Sequence, residues 1–168
     1  KGYLRDRGLN PELELCTEAD LETVERIIEK AESIKADTII GVGGGRTIDV
    51  AKLSAGESNA FFISVPTTAS HDGIASNLAS VKGLGQPYSL KANPPIAVFA
   101  DSQIISESPY RFTASGCGDV ISKAVSVRDW RLAHEKKNDY YGEYAGNLAL
   151  LGSDIIMRNV EKIRDRTE

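Results

Sequence analysis

The chain has 168 residues, 41% of them hydrophobic and 26% charged, enough apolar material for a core and far from the composition of a disordered chain. Acidic residues outnumber basic ones 24 to 20, for a net charge of −4, whereas a phosphate-tracking surface shows a basic excess; nucleic acid is set aside as the partner. No apolar run approaches the roughly 20 residues that a membrane helix needs, and Lys1-Gly2-Tyr3-Leu4-Arg5 lacks the apolar stretch of a signal peptide.

The first strong element is a helix predicted over about 18–35. Leu21, Val24, Ile27, Ile28, Ala31 and Ile34 recur at three- and four-residue spacing, and Thr17 with Asp20 supplies a capping start. Residues 37–42 read as a short buried strand running into Gly43-Gly44-Gly45, followed by a helix over 47–55. A second strand, 61–65, ends at Pro66 and the polar run Thr67-Thr68-Ala69-Ser70-His71-Asp72-Gly73. Segments 78–82 and 88–91 flank a Gly/Pro-containing turn and predict a hairpin; 96–100 reads as a third buried strand ending at Asp101. Strands that alternate with helices and lack polar alternation predict a parallel sheet covered on both faces. From Ser108-Pro109 onward the texture is helical, with Ser108 as the N-cap, Pro109 in the first turn and apolar periodicity over 119–135 and 140–164. The expected fold is thus α/β followed by all-α: 1–107 the C-terminal part of a nucleotide-binding α/β domain, 108–168 the first helices of an all-α domain. Cys16 and Cys117 stand far apart, as reduced thiols of a cytoplasmic protein do.

Three consecutive glycines between a strand and a helix let the backbone approach a ligand and leave the helix's first N–H groups free for a pyrophosphate. The run is neither G-x-G-x-x-G, since Arg46 stands where the third glycine belongs, nor a P-loop, since no Gly-Lys-Ser/Thr follows. The loop 67–73 lies past a strand's carboxyl end, where open α/β sheets bind ligands, and offers hydroxyls, an imidazole and a carboxylate to ribose, nicotinamide or polyol groups. Gly116-Cys117-Gly118-Asp119 reads as a helix start, with Asp119 either a helix-dipole partner or a metal ligand reaching into the cleft. His134 reads as a mid-helix surface or core histidine, and Tyr140, Tyr141 and Tyr144 as packing residues of the helical part.

Together these segments resemble the archaeal-type sn-glycerol-1-phosphate dehydrogenases, of the superfamily that also holds glycerol dehydrogenase, iron-containing alcohol dehydrogenases and 3-dehydroquinate synthase. The residues that carry the resemblance are Gly43 to Lys52 (GGGRTIDVAK), Val65 to Ser76 (VPTTASHDGIAS), Lys91 to Pro95, Asp101, Tyr110-Arg111 through Asp119, and Ala124 to Ala145 in part. The glycine block is common to the superfamily; the Ser-His-Asp-Gly-Ile-Ala-Ser and Arg-Asp-Trp-x-Leu-Ala-His stretches are much more specific to the glycerol-1-phosphate branch.

The resemblance implies reversible hydride transfer between NAD or NADP and the couple of dihydroxyacetone phosphate and sn-glycerol 1-phosphate, for archaeal membrane phospholipids. It implies Gly45, Arg46, Thr47, Ile48 and Asp49 at the cofactor pyrophosphate. Thr67, Thr68, Ala69, Ser70 and Ser76 fall on the nicotinamide and ribose side. Asp72 is implied at the substrate, and Asp119 as catalytic residue, substrate contact and zinc ligand. A cytoplasmic homo-oligomer is the expected full-length form, not embedded in a membrane. Family members are longer, and the two histidines completing their metal site have no counterpart here; His71 and His134 fall elsewhere. The expectation is a piece of an enzyme, its remaining zinc ligands outside this chain. The alternatives are a short nucleotide-binding relative without catalysis, a metal-dependent lyase of the dehydroquinate synthase type, and a dehydrogenase using nickel.

Overall fold

The computed structural model describes residues 2–83 and 88–165. After a short helix, α1 (Gly2–Arg5), the chain runs without regular structure to α2 (Leu21–Ser33). α2 begins later than its apolar spacing predicts because Asp20, and not Thr17, is the cap: the Asp20 carboxylate accepts the Thr23 N–H at 2.8 Å. β1 (Thr38–Gly43) leads through Gly44 into α3 (Gly45–Glu57), and β2 (Phe61–Pro66) returns beside β1. The two strands are parallel and in register from Thr38 opposite Phe61 to Gly43 opposite Pro66, so their following loops leave the same sheet edge.

The predicted hairpin is present as β3 (Leu78–Val81) paired antiparallel with β4 (Tyr88–Lys91); its turn at 84–87 lies outside the described residues. β5 (Ala97–Val98) completes a three-stranded parallel sheet in the order β1-β2-β5. Four helices follow: α4 (Ser102–Glu107), α5 (Tyr110–Lys137), α6 (Glu143–Arg158) and α7 (Val160–Asp165). Asp101, expected only as a strand end, caps α4 by accepting from Gln103 and Ile104 N–H.

α3 is the centre of the packing. Ile48, Ala51 and Ala55 pack against Phe62 of the sheet, while Val50 and Leu53 meet Val24 of α2 and Ala79, Val81 and Ala92 of the hairpin region. Burying each large side chain of this set contributes about 1.5–3 kcal/mol as an upper figure.

Several expectations are corrected. The sheet is covered on the α3 side, where Gly41, Phe62, Ser64 and Pro66 are buried, but Ile40, Val42, Phe61 and Val98 are exposed on the other. α2 and α3 pack on each other, so both helices serve one face. The third strand is two residues long and not buried: Ile96 and Phe99 are each 62% exposed. Pro109 is itself the N-cap of α5, which starts well before Asp119. The helix predicted over 140–164 is broken at Asn159 into α6 and α7. α5 and α6 bury little beyond Gly116, Val127, Gly146 and Ser153, leaving Leu132, Tyr140, Tyr144, Leu148, Leu151 and Ile155 exposed. They pack on each other, and the side of each helix turned away from that contact carries exposed apolar residues. No helix among the described residues is long and apolar enough to cross a membrane.

Candidate functional site

Parallel pairing of β1 with β2 brings the glycine turn and the polar loop together at one sheet edge. Thr67 N–H donates to the Gly43 carbonyl at 2.9 Å, which locks the start of the loop to the turn. Gly43 has φ of +159° and lies tight against Thr47, whose Oγ1 would be 2.7 Å from any Cβ at that position. A Cβ on Gly44 would meet only Thr68 Oγ1, at 3.2 Å, while one on Gly45 would overlap the His71 imidazole. The Ile48 N–H is the first to close onto the Gly44 carbonyl, so the preceding amides at the start of α3 keep free donors. The result is a backbone cradle of side-chain-free turn and unpaired amides, the donor set that suits an anion such as a diphosphate.

The residues expected at the cofactor divide by environment. Gly45 and Thr47 are half-buried and Arg46 is exposed, with its guanidinium 3.9 Å from Glu18. Ile48 is wholly buried and faces the core. The Asp49 carboxylate accepts from Ser80 N–H at 3.1 Å and faces Lys52 at 3.4 Å, so it ties α3 to β3. Thr67, Thr68, Ala69 and Ser70 are half-buried beside the turn, and Thr68 Oγ1 donates to Ser70 Oγ at 3.2 Å. Ser76 faces inward and bonds Lys52 at 3.2 Å.

α5 crosses this loop at Gly116, where a Cβ would overlap the Ala69 carbonyl. That close approach sets Asp119 one turn further along, where its Oδ2 accepts the Asp72 N–H at 2.9 Å. Asp119 is therefore mid-helix and not at the start of α5, which overturns its reading as a partner of that helix's dipole. Lys123, on the same face as Asp119, pairs with Asp72 at 2.7 Å and with Asp119 at 3.5 Å. Partial burial works against the charged Asp119 carboxylate, but the Asp72 N–H and the Lys123 ammonium outweigh it and hold the carboxyl below the usual range. Its hydrogen bond to Asp72 leads the effects that push the Lys123 ammonium upward.

Two residues of this region escaped the sequence reading. Lys123 was recoverable from its four-residue spacing to Asp119 on a helix. Lys52 stood in the glycine block without a role, yet its side chain is 0% exposed. Its ammonium donates to the carbonyls of Gly73 and Leu78, each at 2.7 Å, besides reaching Ser76 and Asp49. Nothing in composition marks a lysine as buried. His134 donates its Nδ1–H to the Asp139 carbonyl at 2.7 Å in the last turn of α5, away from Asp119.

Among the described residues no three His, Cys, Asp or Glu side chains gather to hold a metal ion. Asp119 can supply one of the three protein ligands that a catalytic zinc takes, so the described residues fit part of such a site and do not complete it. The cradle, by contrast, predicts a clean steric effect. Gly44→Val is expected to fold, since only a hydroxyl is near, yet to weaken nucleotide binding about tenfold or more by closing the backbone to a phosphate. Fluorescence titration with NADH checks it; unchanged affinity would remove the turn from the site.

Comparison with known proteins agrees with this geometry. The sequence profile described as "Iron-containing alcohol dehydrogenase" matches residues 1–109. The glycerol-1-phosphate dehydrogenase [NAD(P)+] of Thermococcus kodakarensis is 53% identical over 146 residues, covering 87% of this chain and 42% of that protein. A probable glycerol dehydrogenase of Sinorhizobium meliloti superposes with a TM-score of 0.80 at 28% identity, over 91% of this chain and 46% of the other. A 2-deoxy-scyllo-inosose synthase, solved with carbaglucose-6-phosphate, NAD+ and Co2+, superposes at 0.54 with 34% identity, over 62% of this chain and 30% of its own. The chain thus spans less than half the length of these relatives. With a matching profile over most of its residues, a parallel sheet, and the glycine turn and polar loop at one sheet edge, the chain belongs to the iron-containing alcohol dehydrogenase family.

Proposed function

We propose that this chain is part of an NAD(P)-dependent oxidoreductase interconverting dihydroxyacetone phosphate and sn-glycerol 1-phosphate in archaeal phospholipid synthesis. The observation that carries the reading is the convergence of the glycine cradle, Asp72 and Asp119 around one loop, in a chain 53% identical to a glycerol-1-phosphate dehydrogenase. Bound NAD(P)H would supply the hydride. The amides of Gly45, Arg46 and Thr47 bind its phosphates, and Thr67, Thr68, Ala69 and Ser70 line the side nearer the nicotinamide. Asp72 and Asp119, held by Lys123, orient the hydroxyl and carbonyl groups of the triose. Ile48, Asp49 and Ser76 support the turn and loop from within. Residues 1–107 form the cofactor wall and 108–168 the facing helical wall of a cytoplasmic homo-oligomer. Asp119 is one ligand of a zinc site whose other ligands are not gathered among the described residues.

The test is dihydroxyacetone phosphate-dependent oxidation of NADH and NADPH by the full-length protein, with metal content measured alongside. Asp119→Asn is expected to abolish activity and bound zinc while leaving the far-ultraviolet circular dichroism unchanged. An active, zinc-loaded variant rejects the assignment of Asp119, and an inactive wild type rejects the reaction.

A further inference from the structure

We propose that His71 is a hydrogen-bond donor to the cofactor's diphosphate at the glycine turn, an inference that rests on the dinucleotide reading above. Nδ1 accepts the Gly73 N–H at 2.8 Å, so in the neutral imidazole the ring proton sits on Nε2. Nε2 is therefore a donor, and it makes no hydrogen bond among the described residues.

The ring is also fixed in place. Nε2 and Cδ2 lie where a side chain on Gly45 would stand, and a Cβ on Gly73 would come within 2.6 Å of Nδ1. Glycine at both positions lets the imidazole lie between the polar loop and the first turn of α3. The third glycine of the run thus has a reason beyond phosphate approach: it makes room for His71. An unpartnered N–H held against the helix start adds a side-chain donor where backbone amides already favour an anion. The other groups facing the turn are the hydroxyls of Thr68 and Ser70, joined to each other. The Arg46 guanidinium is 67% exposed and turned toward Glu18, which leaves His71 as the ring donor nearest the cradle.

Calorimetric titration of the purified protein with ADP-ribose, which carries the diphosphate without nicotinamide, tests the assignment, with sn-glycerol 1-phosphate titrated in parallel. His71→Ala is expected to weaken ADP-ribose about tenfold and leave sn-glycerol 1-phosphate unaffected. His71→Gln, whose amide N–H reaches about as far as Nε2, is expected to recover affinity to within about threefold, and His71→Asn is not. Nitrogen-15 spectra of the imidazole are expected to show Nε2–H in the free protein and to shift it on adding ADP-ribose. Equal or tighter ADP-ribose binding by His71→Ala would overturn the proposal, making the ring a spacer or an obstruction. Equal losses in the Gln and Asn variants would overturn it in favour of ring shape. A loss confined to sn-glycerol 1-phosphate would move His71 to the substrate's phosphate and overturn it as well. If the wild type binds neither ADP-ribose nor NADH, the cofactor reading itself falls, and the inference with it.

Discussion

Lys52→Met is expected to lower folding stability by about 3–5 kcal/mol, read as a lower urea midpoint with an unchanged slope. Methionine keeps most of the stem's volume but removes the ammonium on which the carbonyls of Gly73 and Leu78, the Ser76 hydroxyl and the Asp49 carboxylate converge. Those acceptors would lose their one charged donor and keep only the Ser76 hydroxyl on the two carbonyls and the Ser80 N–H on Asp49, with the Asp49 charge left without its counter-ion. The loss should concentrate in the loop and β3, so amide exchange at Ser80, bonded to Asp49, should accelerate first. The same lysine predicts a pH dependence. Burial pushes its ammonium below the ordinary lysine value, and Asp49 only partly opposes this. Just below that ordinary value the unfolded chain therefore holds a proton that the folded chain has begun to release, and stability from this group rises with pH. The wild type should gain on Lys52→Met as pH climbs through that window; a constant gap would show that burial does not disfavour the charge.

This network explains where the sequence was readable and where it was not. Glycines bounded by a β-rich run and a helical pattern announce a strand, a turn and a helix, and β1, Gly44 and α3 appear in that order. Hairpin and polar loop are equally local; the resemblance implies Asp72 and Asp119 each at the substrate, and the hydrogen bond from the Asp72 N–H to the Asp119 carboxylate adds a direct contact between them. The interior position of Lys52 was not legible, because its partners are backbone carbonyls, which every residue carries. The open face of the sheet was hidden for another reason. Apolar strands predict cover on both sides, but the sequence pattern does not say which segment supplies it, and α2 joins α3 on the same side. Gly116 and Gly118 misplaced the start of α5, since glycine inside a helix is unfavourable by about 1 kcal/mol relative to alanine and so reads as a boundary. One of the two glycines has a tertiary reason to be there.

Gly116→Ala and Gly118→Ala are expected to change stability in opposite directions, although both put a better helix former into α5. At Gly118 a Cβ meets nothing within 4 Å, so alanine should stabilise by about 0.5–1 kcal/mol. At Gly116 the added carbon would overlap the carbonyl of Ala69, with the Ser70 carbonyl carbon 3.4 Å away. Both neighbours are backbone of a loop already tied to β1 through Thr67, so neither can give way by changing a rotamer. α5 must back off instead, at a net cost of about 1–3 kcal/mol. The displacement would act where the carboxylates meet. The 2.9 Å bond from Asp72 N–H to Asp119 and the 2.7 Å pair between Lys123 and Asp72 both span the gap that would open. Amide exchange at Asp72 should therefore speed up in Gly116→Ala and stay slow in Gly118→Ala, with the melting temperatures moving apart. If both variants are stabilised alike and the Asp72 amide stays protected, α5 does not rest on the Ala69 carbonyl. The facing of the two carboxylates would then need a different support from the contact at Gly116.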